Sequence, residues 1–287
     1  MSVMKMMSRI TDPKELVKKK SQDNIDEKQL AKLKHQHTFG ITSDPLTQFS
    51  CAFSALIHDL DHQGVPNFTL VNERSPLADK YNNKSVAEQN SVDLAWALLL
   101  SDDYDELRAC ICCDDEEYSQ FRSLVVNSVM ATDIMDKQLG QARKDRWNKA
   151  FNVNEDIQTD NEKACINRKA TIVIEHLIQA SDVSHTMQHW NVYVKWNQRL
   201  FNEMYKAYKA GRLEKDPSDG WHEGELGFFD FYIIPLAKKL FTCGVFGVSS
   251  DEYLNYALNN RKEWEQKGAE MVEKYLVEYK NAYENKE

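Results

Sequence analysis

An all-α fold is the expectation for this chain, and three observations carry it. Apolar residues recur every three to four positions through most of the sequence from Asp44 onward. No alternating apolar–polar stretch of useful strand length interrupts them. Gly (10 of 287 residues) and Pro (6) are too sparse for the many turns of a strand-rich chain. The length suffices to bury a substantial core.

Residues 1–10 are Met-rich with an apolar helical rhythm, and residues 11–37 are highly charged without a steady period. A solvated loop or a loose helix is expected there, with Lys18-Lys19-Lys20 on a solvated face rather than in a phosphate or membrane patch. This separates 1–43, a partial first helix with a charged loop, from a helical domain over 44–287. Asp44 before Pro45 makes a good N-cap followed by a first-turn proline. Leu46, Phe49, Ala52, Phe53, Leu56 and Ile57 then mark one apolar face of a helix that delivers His58 at its C-terminal end. Similar rhythms predict helices near 85–100, 117–131, 165–182, 190–209, 225–242 and 250–284. In the last of these Trp264, Tyr275, Tyr279 and Tyr283 stand at near-helical spacing, as core residues would.

Charge and cysteine usage narrow the function. A net charge of −9 argues against nucleic acid as the main partner, because phosphate binding needs basic patches. No apolar run approaches bilayer-spanning length, and a signal-peptide core is missing, so a cytoplasmic protein is expected. The six Cys, at 51, 110, 112, 113, 165 and 243, are irregularly spaced and read as reduced thiols. Cys110-Ile111-Cys112-Cys113 has no second pair at zinc-finger spacing and is expected on a buried helix face.

The chemistry concentrates in His58-Asp59-Leu60-Asp61-His62-Gln63-Gly64, which sets four metal- or proton-handling side chains in five residues at the end of an apolar segment. Adjacent His and Asp offer a divalent ion one neutral nitrogen and one anionic oxygen, a mixture that suits zinc, magnesium, manganese or iron in a hydrolytic site. A second apolar helix, carrying Ile172, Val173, Leu177 and Ile178, ends in Asp182. A carboxylate there needs a partner. A metal would serve, and so would the backbone of a following helix that Asp182 caps.

The HDxDHxG run resembles the signature of the class I cyclic nucleotide phosphodiesterases. Further matches follow in that family's order: Tyr81-Asn82 with Ser85-Val86-Ala87-Glu88, Ala131-Thr132-Asp133, Gln179-Ala180-Ser181-Asp182-Val183-Ser184, and Gly227-Phe228-Phe229-Asp230-Phe231 with Pro235-Leu236. The resemblance extends from about Asp44 to about Val248. It implies a compact multi-helix catalytic domain of the HD type that opens 3′,5′-cyclic nucleotides, cGMP or cAMP, to 5′-monophosphates. It implies two divalent ions, zinc with magnesium or manganese, that activate water for in-line attack on phosphorus. His58, Asp59 and Asp182 would be metal ligands, with Asp59 and Asp182 also facing substrate. His62, Glu88, Thr132 and Asp133 would orient ligands and waters. Glu225 and Phe228 would contact the base, by hydrogen bonding and by stacking. Family members are often joined to regulatory or membrane-bound parts, so an upstream domain of that kind is an expected partner in a longer protein.

Three departures qualify the resemblance. The family's upstream His-Asn-x-x-His-Ala motif, which supplies the general acid and a fourth metal ligand, is not found. His35 and His37 have the wrong spacing and context to replace it. The opening Met1–Ile10 resembles the helix that follows that motif, so the polypeptide is expected to start just downstream of it. A missing general acid costs about 10²–10⁴ in rate. A nucleotide-binding or regulatory module without turnover is therefore the alternative. A different all-α His-Asp phosphohydrolase is disfavoured by Gly227-Phe228 and the order of motifs. Second, Glu225 stands where the family reads the purine with Gln. An ionised Glu only accepts, which suits the N1–H and N2–H of guanine, so a guanine preference is expected. A raised pKa would instead leave a carboxyl able to donate. Third, Ser91 replaces a His common near the second metal, and His185 replaces an Asn three residues after Asp182. An alternative metal site of Asp182, His185 and His189 would need one helical face, but Ser184–Gln188 reads as a turn.

Overall fold

A computed structural model describes residues 2–10, 27–151, 162–246 and 251–283. Lys18-Lys19-Lys20 and Val248 lie outside the described residues. The helices among the described residues are α1 (Ser2–Met7), α2 (Glu27–His37), α3 (Pro45–Ile57), α4 (Asn67–Asn72), α5 (Pro76–Lys80), α6 (Val86–Leu99), α7 (Asp105–Ile111), α8 (Asp115–Met130), α9 (Lys137–Phe151), α10 (Glu162–Asp182), α11 (Trp190–Lys209), α12 (Trp221–Phe228), α13 (Ile234–Thr242) and α14 (Glu252–Tyr283), with a π-helical turn over Phe229–Ile233 joining α12 to α13. There is no β-strand among the described residues, as the missing period of two required. The chain divides into two units, each discontinuous in sequence.

The first unit comprises Met1–Asp61, Lys84–Asp182 and Cys243–Ser249. Asp44 caps α3 as its sequence predicts: its carboxylate accepts the Leu46 and Thr47 amides at 3.1 and 3.2 Å, and Pro45 opens the helix. The buried face of α3 is nevertheless not the expected one. Thr47, Ser50, Cys51, Ser54 and Ile57 face inward, while Leu56 is 80% exposed and Phe49 is exposed. The inward hydroxyls are satisfied by their own helix: Ser50 Oγ donates to Leu46 O at 2.7 Å and Ser54 Oγ to Ser50 O at 2.7 Å. Small side chains so satisfied let α8, α10, α1 and α6 pack against α3. The apolar core beneath it is Ile57, Ala95, Trp96, Leu99, Phe121, Val125 and Val129.

Helix α10 runs through this unit buried on every side from Ile172 to Ala180. Its polar residues each have a bond: Glu175 accepts from Arg146 at 2.6 Å, His176 Nδ1 meets Ile172 O at 2.7 Å, and Gln179 donates to Ala131 O at 2.8 Å. The periodicity had not shown α7 or α9. Helix α9 buries only Arg143, Trp147 and Ala150, a stripe too thin to register, and Arg143 is inside because it donates to Asp133 O at 3.1 Å. Helix α7 buries nothing. The Cys110–Cys113 cluster at its end is correspondingly not a buried face, since Cys110 and Cys113 are exposed. All six cysteines are free thiols.

The second unit comprises His62–Asn83, Val183–Thr242 and Ser250–Glu287. Long α14 packs on α11, α12 and α13, and Trp264, Tyr193, Tyr275, Phe201 and Phe229 fill the space between. Their polar ends are paired: Trp264 Nε1 donates to His222 O at 3.1 Å and Tyr275 OH to Val194 O at 3.2 Å. Tyr279 belongs to this core as expected; Tyr283, one turn on, is 66% exposed because α14 has run past its packing partners. The helix expected over 225–242 is two helices and a π turn beginning at Trp221, and helices α4 and α5 were too short for a period to reveal.

Candidate metal centre and base-reading residues

His58 is the C-cap of α3, and Asp182 is the last residue of α10. Two helix C-termini therefore converge in the first unit, where their exposed carbonyls favour positive charge. His58 Nε2 lies 3.2 Å from Asp59 Oδ2 and 3.4 Å from Asp182 Oδ1. Ligand atoms of these three residues all lie within 4.8 Å of one another, and among the described residues this is the one His/Cys/Asp/Glu cluster of that kind. His58 Nδ1 stands 3.1 Å from Ala55 O, which holds the ring in place and keeps Nε2 turned toward the carboxylates. Burial alone would lower the His58 pKa. The bonds to Asp182 and then to Asp59 outweigh it and push the ring up to about 10. One nitrogen and two carboxylate oxygens in this arrangement fit a hard or borderline divalent ion, which would take the place of the proton on Nε2.

His62, Glu88, Thr132 and Asp133 are the other residues expected to assist the metals. Glu88 is in the first turn of α6. Asp133 is buried, and its carboxylate accepts from Ser85 Oγ at 2.7 Å and from the Met135 and Asp136 amides at 3.1 Å each. Thr132 Oγ1 donates to Val129 O at 2.7 Å. Ser91 is buried and donates to Leu60 O at 2.9 Å. His35 pairs with Ser43 Oγ at 2.9 Å, and neither it nor His37 belongs to the His58 cluster. His62 falls in the second unit, where its Nδ1 accepts the Gly64 amide at 3.3 Å. The alternative trio does not form: Ser184–Met187 is a 3₁₀ turn, His189 caps α11 through the Asn191 amide, and the His185 ring lies parallel to Tyr193.

Glu225 and Phe228 both lie on α12 in the second unit. The Glu225 carboxylate accepts from Tyr193 OH at 2.8 Å and from the side chain of Asn197. The Asn197 carbonyl is itself occupied by Trp221 Nε1, at 3.1 Å, which turns the amide N–H₂ toward Glu225. Burial pushes the Glu225 acid up, against the two hydrogen bonds, to about 7. Tyr193 is raised in turn, by burial and then by the Glu225 charge, so it stays a donor. Glu225 also lines a cavity of about 1170 Å³, walled by Phe68, Met204, Tyr208 and Trp221. Phe228 stacks on Tyr232 with ring centroids 5.3 Å apart. Tyr193 and Asn197 escaped sequence reasoning. Their i, i+4 spacing on one helix was the available signal, but nothing in the sequence ties that face to Glu225.

The family model for 3′5′-cyclic nucleotide phosphodiesterase matches residues 5–244. A protein of Caenorhabditis elegans named as a probable 3′,5′-cyclic-AMP phosphodiesterase is 27% identical over 210 residues, covering 67% of this chain and 29% of that protein. A human dual specificity calcium/calmodulin-dependent 3′,5′-cyclic nucleotide phosphodiesterase 1C is 28% identical over 195 residues, covering 65% of this chain and 25% of that protein. The matches thus span under a third of each relative's own length. The crystal structure of the phosphodiesterase domain of Salpingoeca rosetta rhodopsin phosphodiesterase shares the fold, with a TM-score of 0.64 at 20% identity over 98% of this chain and 82% of that one.

Proposed function

The chain belongs to the 3′,5′-cyclic nucleotide phosphodiesterase family, and we propose that it performs metal-dependent hydrolysis of cyclic nucleotides to 5′-monophosphates. The observation that carries the reading is the His58, Asp59 and Asp182 cluster at two converging helix ends. A divalent ion bound there supplies Lewis acidity and an activated water. The protein's own part is to hold Nε2 of His58 toward the ion through the bond to Ala55, and to set two carboxylates against its charge. A second ion would rest on this cluster's carboxylates together with waters; the described residues gather one such cluster. No described helix is long and apolar enough to cross a membrane.

Base choice follows from Glu225. With Tyr193 and Asn197 donating to it, the ionised acid has acceptor capacity left for the N1–H and N2–H of guanine. The protonated acid donates instead, which suits the N1 lone pair of adenine. With the acid poised near 7, the simple guanine preference becomes a pH-dependent one. The cGMP-to-cAMP selectivity rises with pH through neutrality, by about tenfold if one unpaired polar group is at stake.

The test is hydrolysis of cAMP and cGMP by the purified chain with Mg²⁺, Mn²⁺ or Zn²⁺, alongside His58→Ala and calorimetric titration of Mn²⁺. Expected are hydrolysis in the wild type and, in His58→Ala, its loss together with at least about tenfold weaker Mn²⁺ binding. Hydrolysis that survives His58→Ala refutes the site. Nucleotide binding without turnover in the wild type selects the alternative, a binding module.

A further inference from the structure

Just after the metal-binding pair the chain makes a tight turn, His62-Gln63-Gly64, and the residue that holds this turn comes from far along the sequence. Helix α11 ends in a glycine-containing cap. The Gly211 amide donates to Tyr208 O at 2.8 Å and the Arg212 amide to Ala207 O at 3.0 Å. Gly211 adopts φ +75°, which a glycine takes without strain. This double bond fixes the backbone from which the Arg212 side chain leaves. The guanidinium then grips two partners. Nε and Nη2 donate to the two oxygens of Glu73, at 2.8 and 2.9 Å, and Nη1 donates to Gln63 O at 3.0 Å. Glu73 is itself the C-cap residue of α4, its amide bonded to Thr69 O. The fork is therefore anchored at both ends, and its planarity directs the remaining donor at the Gln63 carbonyl.

The Gln63 carbonyl and the Gly64 amide are the two edges of one peptide plane. The amide edge donates to His62 Nδ1 at 3.3 Å, and Gly64, at φ +68°, redirects the chain immediately after it. A trans peptide is rigid, so holding its oxygen fixes the direction of its N–H. A cation on the oxygen also polarises the amide and strengthens it as a donor. An imidazole that accepts at Nδ1 carries its proton at Nε2 when neutral.

We propose that Arg212 is a positioning residue for His62: through the Gln63–Gly64 peptide it sets the His62 ring in the Nε2–H form, a fixed hydrogen-bond donor. The consequence for hydrolysis rests on the phosphodiesterase reading above, in which His62 orients a group in the site. The placement of the proton does not.

The experiment is ¹⁵N NMR of the imidazole nitrogens in histidine-labelled protein, with His62 assigned by its loss in His62→Gln. In the wild type His62 shows an unprotonated Nδ1 and a protonated Nε2. In Arg212→Ala it moves to the averaged shifts of a free imidazole. Glu73→Gln, which leaves Arg212 able to reach Gln63 O, retains most of the wild-type signature. Should Arg212→Ala fail to fold, Arg212→Lys, which has no fork, takes its place with the same expected direction. Hydrolysis followed in parallel falls about tenfold or more in kcat, with KM changed much less. A folded Arg212→Ala or Arg212→Lys protein whose His62 nitrogens match the wild type overturns the proposal. A clear change at His62 in a chain that hydrolyses nothing leaves the proposal standing and removes the functional reading instead.

Discussion

Glu225→Gln isolates the raised acid of the second unit, and its effect on stability can be worked from the structure. Burial pushes the Glu225 acid from its ordinary 4.5 to about 7, despite hydrogen bonds from Tyr193 and Asn197 that favour the anion. Between those two values the folded chain holds a proton that the unfolded chain has released. The raised value therefore contributes stability that is fully present below pH 4.5 and is lost as pH rises through 7. The gap of about 2.5 pH units, at about 1.4 kcal/mol each, gives about 3.5 kcal/mol; the part of the residue still touching water trims this to about 2–3 kcal/mol. Glutamine has the same shape, still accepts from Tyr193 and titrates nothing. Urea denaturation of both proteins from pH 4.5 to 8 reads the effect as a difference, in which the remaining titrating groups cancel. Relative to Glu225→Gln, the wild type should lose about 2–3 kcal/mol across that range. Parallel curves would show that Glu225 titrates normally, and the pH-dependent base choice would fall with it.

Two further substitutions test the packing and the cap on which the site depends. At Gly268 an added Cβ would stand 2.6 Å from His222 Cδ2 and 2.7 Å from Trp264 Cε2, against a fully buried indole. Gly268→Ala should therefore cost about 1–3 kcal/mol in urea denaturation despite alanine's better helix propensity, and a stability gain would contradict the packing. Asp44→Ala removes the acceptor for two amides and the Thr47 hydroxyl at the start of the helix that delivers His58. A loss of about 1–2 kcal/mol by thermal denaturation is expected, largely recovered by Asp44→Ser; no loss would mean that the cap is not felt.

Local features were legible before the fold was known because their causes lie within a few residues. The Asp44-Pro45 cap, the end of α10 at Asp182 and the adjacency of His58 and Asp59 are of this kind. So are the boundaries of α6, α8, α11 and α14, whose apolar period is long enough to register. The resemblance in motif order named the family from the same residues. The buried face of α3 was not legible. Hydrophobicity pointed to Leu56 and Phe49, whereas close approach of neighbouring helices selects small residues whose hydroxyls can bond back to their own helix.

The sequence by itself determined which side chains are available: a His-Asp pair, a distant Asp after an apolar helix, and a Glu where a Gln is usual. Only the tertiary structure decided what each of them meets. Asp182 comes to His58 across 124 positions, Tyr193 to Glu225 across 32, and Arg212 to Gln63 across 149. Those encounters set the charge on His58, the proton on Glu225 and the orientation of His62. A pKa or a tautomer depends on burial and on partners a few ångströms away, and chain separation carries no information about either.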